Sequence, residues 1–152
     1  MDDHFLEGCL FFNVNAFSRQ MLKLAETSFA PLQLSPAHAS LMLLLYENPG
    51  ISPKKLGKLL QLTPSTITRF IDALAKKKLV KRKSSGKTTA LFPTDKGHDV
   101  KPAIARAYQE FYHNYTRILG TDKAHCLALE ISRANEAFFG LSGSDPDHVP
   151  DL

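Results

Sequence analysis

The sequence predicts a mainly α-helical protein built around a helix-turn-helix and a short two-stranded wing, with long amphipathic helices before and after it. Three observations carry that reading. A serine or threonine followed by proline stands at Ser35-Pro36, Ser52-Pro53 and Thr63-Pro64, each time ahead of an apolar-patterned stretch. Such a pair is a hydroxyl cap followed by proline at the first helical position, where the missing N–H has no intrahelical partner to lose. Positive charge is concentrated in the middle of the chain, and apolar stripes at helical spacing occupy both ends.

With 152 residues, 43% of them hydrophobic, the chain can build one compact core. Its net charge of +4 conceals a segregation. From Lys54 to Lys101 there are thirteen basic residues and three acids, a net of +10, whereas the remainder holds six basic and twelve acidic residues, a net of −6. A solvated surface mixes its signs; a segment that neutralises phosphates and releases their counterions concentrates one sign. The opening Met1-Asp2-Asp3-His4 lacks the basic, apolar and small-residue order of an export signal. No apolar run approaches the roughly 18 residues of a membrane span, since Leu41 to Tyr46 stops at Glu47-Asn48-Pro49-Gly50. The expected location is therefore the cytoplasm, where Cys9 and Cys126 read as buried small apolar residues and not as a disulfide.

Phe5 to Phe29 contains no proline and only Gly8 as a breaker, with apolar residues at 10, 14, 17, 21, 24 and 25, so one long amphipathic helix is expected there. Pro31 ends it. Ser35 caps a second helix over about 36–47, so apolar that it must be central, and Asn48-Pro49-Gly50 turns the chain. Ser52 caps a short helix with Leu56, Leu59 and Leu60 on one face; Thr63 caps the next, with Ile67, Phe70, Ile71 and Leu74 inward. A short helix, a tight link and a second helix give helix-turn-helix spacing. The opposite face of that second helix carries Ser65, Arg69, Asp72 and Lys76, flanked by Thr66, Thr68 and Ala73. Small groups near a helix N-terminus let it approach base edges and phosphates, although an ordinary solvated face would carry similar residues.

The next segment distinguishes the two. Leu79-Val80-Lys81-Arg82-Lys83 reads as a strand, Ser84 to Thr88 as a turn around Gly86, and Ala90-Leu91-Phe92-Pro93 as a returning strand. Lys81, Arg82, Lys83 and Lys87 stand on this hairpin with no acid among them, and since like charges oppose strand pairing, a polyanion partner explains them best. Thr94 then caps a further helix. Ile104, Tyr108, Phe111, Tyr112, Tyr115, Ile118 and Leu119 form a stripe ended by Gly120, and Asp122 to Phe139 repeats the pattern with Leu127, Ile131, Ala134 and Phe138. These end helices carry more apolar surface than a small winged module can bury, so a second copy of the chain is expected to cover it. The expected organisation is an N-terminal dimerisation helix over 1–34, a winged helix-turn-helix over 35–100, C-terminal dimerisation helices over 101–140 and a polar tail over 141–152.

The order of parts, with LTPSTITRFIDALAKKKLVKR in the middle and PTDKG after the wing, resembles the MarR family of bacterial transcriptional regulators. The resemblance implies a non-catalytic homodimer in which the first and the last two helices interlock, with two winged lobes on a pseudo-palindromic operator, acting as a repressor. It places Ser65, Thr66, Thr68 and Arg69 on the recognition-helix motif. The family's wing has Asp-x-Arg where this chain has Ser85-Gly86-Lys87, so the aspartate is absent and lysine replaces arginine. Residues and resemblance together give a duplex-DNA contact set of Ser52, Lys54, Lys55, Thr63, Ser65, Thr66, Thr68, Arg69, Lys76, Arg82, Lys83, Lys87 and Thr88. Family members often bind a small phenolic or lipophilic effector; no residue pattern here names one.

Other motifs carry less. Gly86-Lys87-Thr88 resembles the end of a phosphate-binding loop, but the required earlier glycine is Lys81 and strand, not helix, follows. The six histidines have no i, i+3 or i+4 pair, so neither a metal nor a cofactor is expected. The first helix has no basic face for a membrane surface. The alternative function is a thiol redox switch through Cys9, since some relatives sense peroxide from the first helix. Their sensing position, however, falls nearer Phe11, and no cation neighbours Cys9 in sequence to activate it.

Overall fold

The computed structural model describes residues 4–142, and their order is α1 (His4–Gly8), α2 (Leu10–Phe29), a 3₁₀ turn (Ala30–Leu32), α3 (Pro36–Glu47), α4 (Pro53–Leu60), α5 (Pro64–Lys76), β1 (Val80–Ser85), β2 (Thr88–Pro93), α6 (Asp95–Asp99), α7 (Lys101–Leu119) and α8 (Thr121–Ser142). This is the mainly helical, winged helix-turn-helix architecture that the sequence predicts. The polar tail lies outside the described residues, apart from the last turn of α8. The described chain forms two compact units, one running to Phe111 and the other starting at Tyr112.

In the first unit the core gathers around α3. Ala39, Leu41, Met42 and Leu45 of that helix are buried, and they join Phe29, Leu56, Ile67, Ile71, Leu74, Leu91 and Ile104 in one cluster. All three proline-initiated helices start as expected. Ser35 Oγ accepts from His38 N–H, Ser52 Oγ from Lys55 N–H and Thr63 Oγ1 from Thr66 N–H, each satisfying a donor that the first turn leaves free.

Two expectations about the helices need correction. The first helix is not continuous: it breaks at Cys9, whose ψ of 107° is extended. The cause is Asn13, whose Nδ2 donates to the carbonyls of Leu6, Glu7 and Cys9 at 2.9–3.1 Å and so satisfies the end of α1. The inner face of α4 is also not the three leucines. Leu56 and Gly57 are buried and Leu60 is half-buried, whereas Leu59 is 49% exposed. Gly57 takes the inward place because α5 passes close: a Cβ there would lie 3.3 Å from Ile67 Cγ1 and from the Leu62 carbonyl.

Neither cysteine is buried within the chain, contrary to expectation. Cys9 is half-buried in the helix break and Cys126 is exposed on α8, and both are free thiols. Among the described residues no helix is long and apolar enough to cross a membrane.

The second unit comprises the end of α7 and α8, joined at Gly120, whose φ of +83° suits a residue without Cβ. It leaves Tyr112, Ile118, Leu129, Ile131 and Phe138 exposed, Ile118 at 70%. The first unit likewise exposes Leu10 and Phe11, at 73% and 79%, with Val14 and Leu22.

The join between wing and α6 leaves no room for a side chain at Gly97. Thr94 Oγ1 donates to the Lys78 carbonyl and accepts from Gly97 N–H, and a Cβ on Gly97 would stand 2.2 Å from the Leu79 carbonyl oxygen. Gly97→Ala is therefore expected to destabilise the protein by at least about 2–3 kcal/mol, the upper range for forced overpacking. Gly8→Ala, with nothing within 4 Å of the added carbon, should be neutral or mildly stabilising. Thermal melts of the two variants followed by circular dichroism check both outcomes.

Candidate nucleic-acid interface

The helix-turn-helix is set by its link. Gln61 adopts a left-handed φ of 55°, Leu62 N–H donates to the Gly57 carbonyl at 3.0 Å, and Thr63 opens α5. Ile67, Ile71 and Leu74 then point into the core, which obliges Ser65, Arg69, Asp72 and Lys76 onto the outer face, and all four are exposed. The structure thus brings these four residues onto one exposed face, as the spacing implies.

The hydroxyls around the helix start have a second occupation. Thr63 Oγ1 lies 3.2 Å from Ser65 Oγ and donates to Thr66 Oγ1 at 3.0 Å, while Thr68 Oγ1 donates to the Pro64 carbonyl at 3.0 Å. Thr63, Thr66 and Thr68 therefore hold the first turn as well as facing outward, and Thr66 is half-buried. Ser52 is the cap of α4, with Lys54 and Lys55 exposed in the turn it starts.

The wing is longer than the sequence suggests. Register runs from Val80↔Pro93 to Ser85↔Thr88, so only Gly86 and Lys87 form the turn and the strands reach two residues further toward the tip. Two hydroxyl contacts support that extension: Ser84 Oγ is 3.5 Å from Thr89 Oγ1, and Thr88 Oγ1 donates to the Ser85 carbonyl at 2.8 Å. Gly86 supplies the positive φ of 58°. The Gly-Lys-Thr triplet lies in this turn and leads into a strand, not the helix a phosphate-binding loop needs.

The base of the wing is fixed from two sides. Leu91 of β2 is fully buried, and it exchanges backbone hydrogen bonds with Gly50 and Ile51 at 2.7 and 3.0 Å, which ties the wing to the segment entering α4. The second tie is the ion pair of Arg82 with Asp72 on α5. Sequence reading counted Arg82 among the wing cations and placed Asp72 on the outer face of the helix; the two pair with each other and join the wing to α5. Lys83 lies 5.1 Å from the centroid of Phe92, and Lys87 and Thr88 are exposed at the tip.

Sequence reasoning also missed His38. Its Nδ1 is 2.7 Å from Ser35 Oγ, its ring centroid is 4.8 Å from that of Phe70 on α5, and its Nε2 is buried without a hydrogen-bond partner among the described residues. Burial, and after it the charges of Lys77 and Arg69, push its pKa below the usual imidazole range. The ring thus stands against α5 in surroundings that disfavour its charged form. A helix cap followed three residues later by histidine was the available signal.

The Asp72–Arg82 pair is about half exposed, with relative side-chain exposures of 57% and 38%, so its contribution to global stability should be small, under about 1 kcal/mol. Its local effect should be larger. Asp72→Ala is expected to leave the melting temperature nearly unchanged while amide exchange in β1 and β2 accelerates; unchanged wing protection would show that Leu91 alone holds the wing.

Comparison with known proteins supplies the wider context. A model of the MarR family matches residues 34–87. A curated relative, an uncharacterised helix-turn-helix-type transcriptional regulator, YybA, of Bacillus subtilis strain 168, is 27% identical over 96 residues; the match covers 61% of this chain and 64%, just under two thirds, of the relative. The transcriptional repressor CouR, bound to a 23-mer DNA duplex, superposes with a TM-score of 0.78 at 25% identity, over 89% of this chain and 98% of CouR. CouR bound to p-coumaroyl-CoA gives 0.77 at the same identity, over 89% of this chain and 97% of CouR. A mutant MarR from E. coli complexed with operator DNA gives 0.78 over 88% and 99% of the two chains, and at 18% identity that likeness is one of fold.

Proposed function

We propose that the chain, which matches a MarR-family model at residues 34–87 and shares its fold with the repressor CouR over 89% of its length, is a homodimeric transcriptional repressor that binds duplex DNA through α5 and the wing. The observation that carries the reading is the meeting of the exposed Ser65-Arg69-Lys76 face with a wing bearing Lys81, Lys83 and Lys87, inside a segment of net charge +10. In this reading residues 35–100 contact DNA, while 1–34 and 101–140 pair the two copies through their exposed apolar side chains. In this reading a small lipophilic or phenolic effector releases the DNA; that the similar repressor CouR is found bound to p-coumaroyl-CoA supports a ligand of this kind.

Roles divide by chemistry. Arg69 offers a planar fork one turn behind the start of α5, suited to a guanine edge in the major groove. Lys87 is a point charge at the wing tip, suited to a phosphate or to the potential of a narrow minor groove. Lys54, Lys55 and Lys76 flank the helices as phosphate contacts, and Ser52 and Thr63 present their helix N-termini.

Light scattering is expected to give about twice the chain mass of 16.9 kDa, and log K for duplex DNA should fall with log salt at a slope of about −0.9 per phosphate neutralised. A monomer that binds tightly, or an affinity flat in salt, contradicts the proposal.

Arg69→Ala and Lys87→Ala should fail differently. The first is expected to lose discrimination along with affinity, on the order of 1–3 kcal/mol for a bidentate base contact. The second should weaken operator and scrambled duplex alike and make the salt slope shallower by about one unit. Salt titrations of both variants on both duplexes decide it: an Arg69→Ala that weakens both equally, beside a Lys87→Ala that erases the preference, would move base reading from helix to wing.

A further inference from the structure

One outward line of the wing places a serine hydroxyl among cations. In an antiparallel pair, directly opposed residues share a face and successive residues alternate. Leu91 is buried opposite Arg82, so Arg82 and Ser84 share the inward side; Ser84 lies near Thr89 and Arg82 holds Asp72. Lys81, Lys83 and Ser85 occupy the other side, each exposed, with Lys87 two residues beyond Ser85 across the turn. Residues two apart on a strand are about 6–7 Å apart along it. The hydroxyl of Ser85 makes no hydrogen bond among the described residues, and its backbone is extended at the end of an exposed hairpin, preceded by Lys81-Arg82-Lys83. An extended, solvent-exposed hydroxyl behind three cations is the form in which a basic-directed serine kinase, whose substrate groove is acidic, accepts its substrate.

We propose that Ser85 is a phosphorylation site, and that its phosphate competes with DNA for the cations of the wing. The γ-phosphoryl group of ATP passes to Ser85 Oγ as the bond to the bridging β–γ oxygen breaks. The hydroxyl proton goes to the base of the kinase, and ADP leaves. The product adds about −1.5 to −2 charges and three strong acceptor oxygens. Lys83 and Lys87, the cations flanking Ser85 that have no acidic partner among the described residues, then pair with a phosphate of the protein itself. They are the charges that the proposed function assigns to DNA, and the inference rests on that assignment.

The test uses the full chain, ATP and a basic-directed serine/threonine kinase. Peptide mass spectrometry locates the phosphate, and duplex affinity is titrated with salt before treatment, after treatment and after phosphatase. The expected result is phosphate on Ser85, at least tenfold weaker binding at low salt, a slope shallower by about two units per lobe, as loss of two phosphate contacts requires, and recovery with phosphatase. Kinase-treated Ser85→Ala should bind as the untreated variant does. Phosphate absent from Ser85 in the folded protein, or a phosphorylated protein with unchanged affinity and slope, overturns the inference. If the untreated chain binds no duplex at any salt, it is the DNA-binding function that fails, whatever the kinase has done.

Discussion

The backbone pairing of Leu91 with Gly50 and Ile51 is the constraint on which the rest of the first unit depends. A two-stranded hairpin is marginal by itself in water, and this one carries Lys81, Lys83 and Lys87, like charges that oppose strand pairing. It holds its place because Leu91 has no exposed surface and its N–H and C=O are both taken by the loop that enters α4. The same residue pairs with Arg82 across the sheet, and Arg82 reaches Asp72 on α5. One buried leucine therefore fixes the wing against the start of the helix-turn-helix, while one surface ion pair fixes it against the end. Thr94 and Gly97 complete the arrangement from below, where α6 packs so closely on Leu79 that a methyl group has no room.

Much of this was legible in the sequence for a local reason. Hydroxyl caps and proline act within one turn, so Ser35, Ser52 and Thr63 mark helix starts without any knowledge of the tertiary fold. Helix ends were less legible. α4 ends at Gln61 and α5 is followed by Lys78, both with left-handed φ, where glycine would have been the recognisable signal. The break at Cys9 depends on Asn13 folding back over three carbonyls, and no residue type at position 9 announces it. The outer face of α5 followed from periodicity, but the Asp72–Arg82 pair did not, because ten residues and a change from helix to strand separate its partners. Gly57 displaced Leu59 from the interior for a similar reason: the approach of Ile67 is set by the crossing of two helices, not by the pattern of either.

Charge and apolar surface are divided between different parts of the chain. The basic segment coincides with the helices and strands around the wing, and most of the exposed large apolar side chains among the described residues lie on α2, α7 and α8, with Leu6 on α1 and Leu59 on α4 as exceptions. Each kind of surface needs a different sort of covering. Under the proposed reading, this segregation keeps the cations out of the segments that pair two copies, where burying them would cost several kcal/mol apiece.

The hydroxyls at the head of α5 bear on how easily such a protein could change its target. Thr63, Ser65 and Thr66 bond to one another, and a hydroxyl can exchange donor for acceptor by rotating about a single bond. A rotor of that sort accepts most base edges and distinguishes few. Under the proposed reading, sequence information is then concentrated in Arg69, and the helix head supplies adhesion that tolerates many sequences. A lineage carrying this arrangement could acquire a new operator by altering one codon, without first losing its grip on DNA.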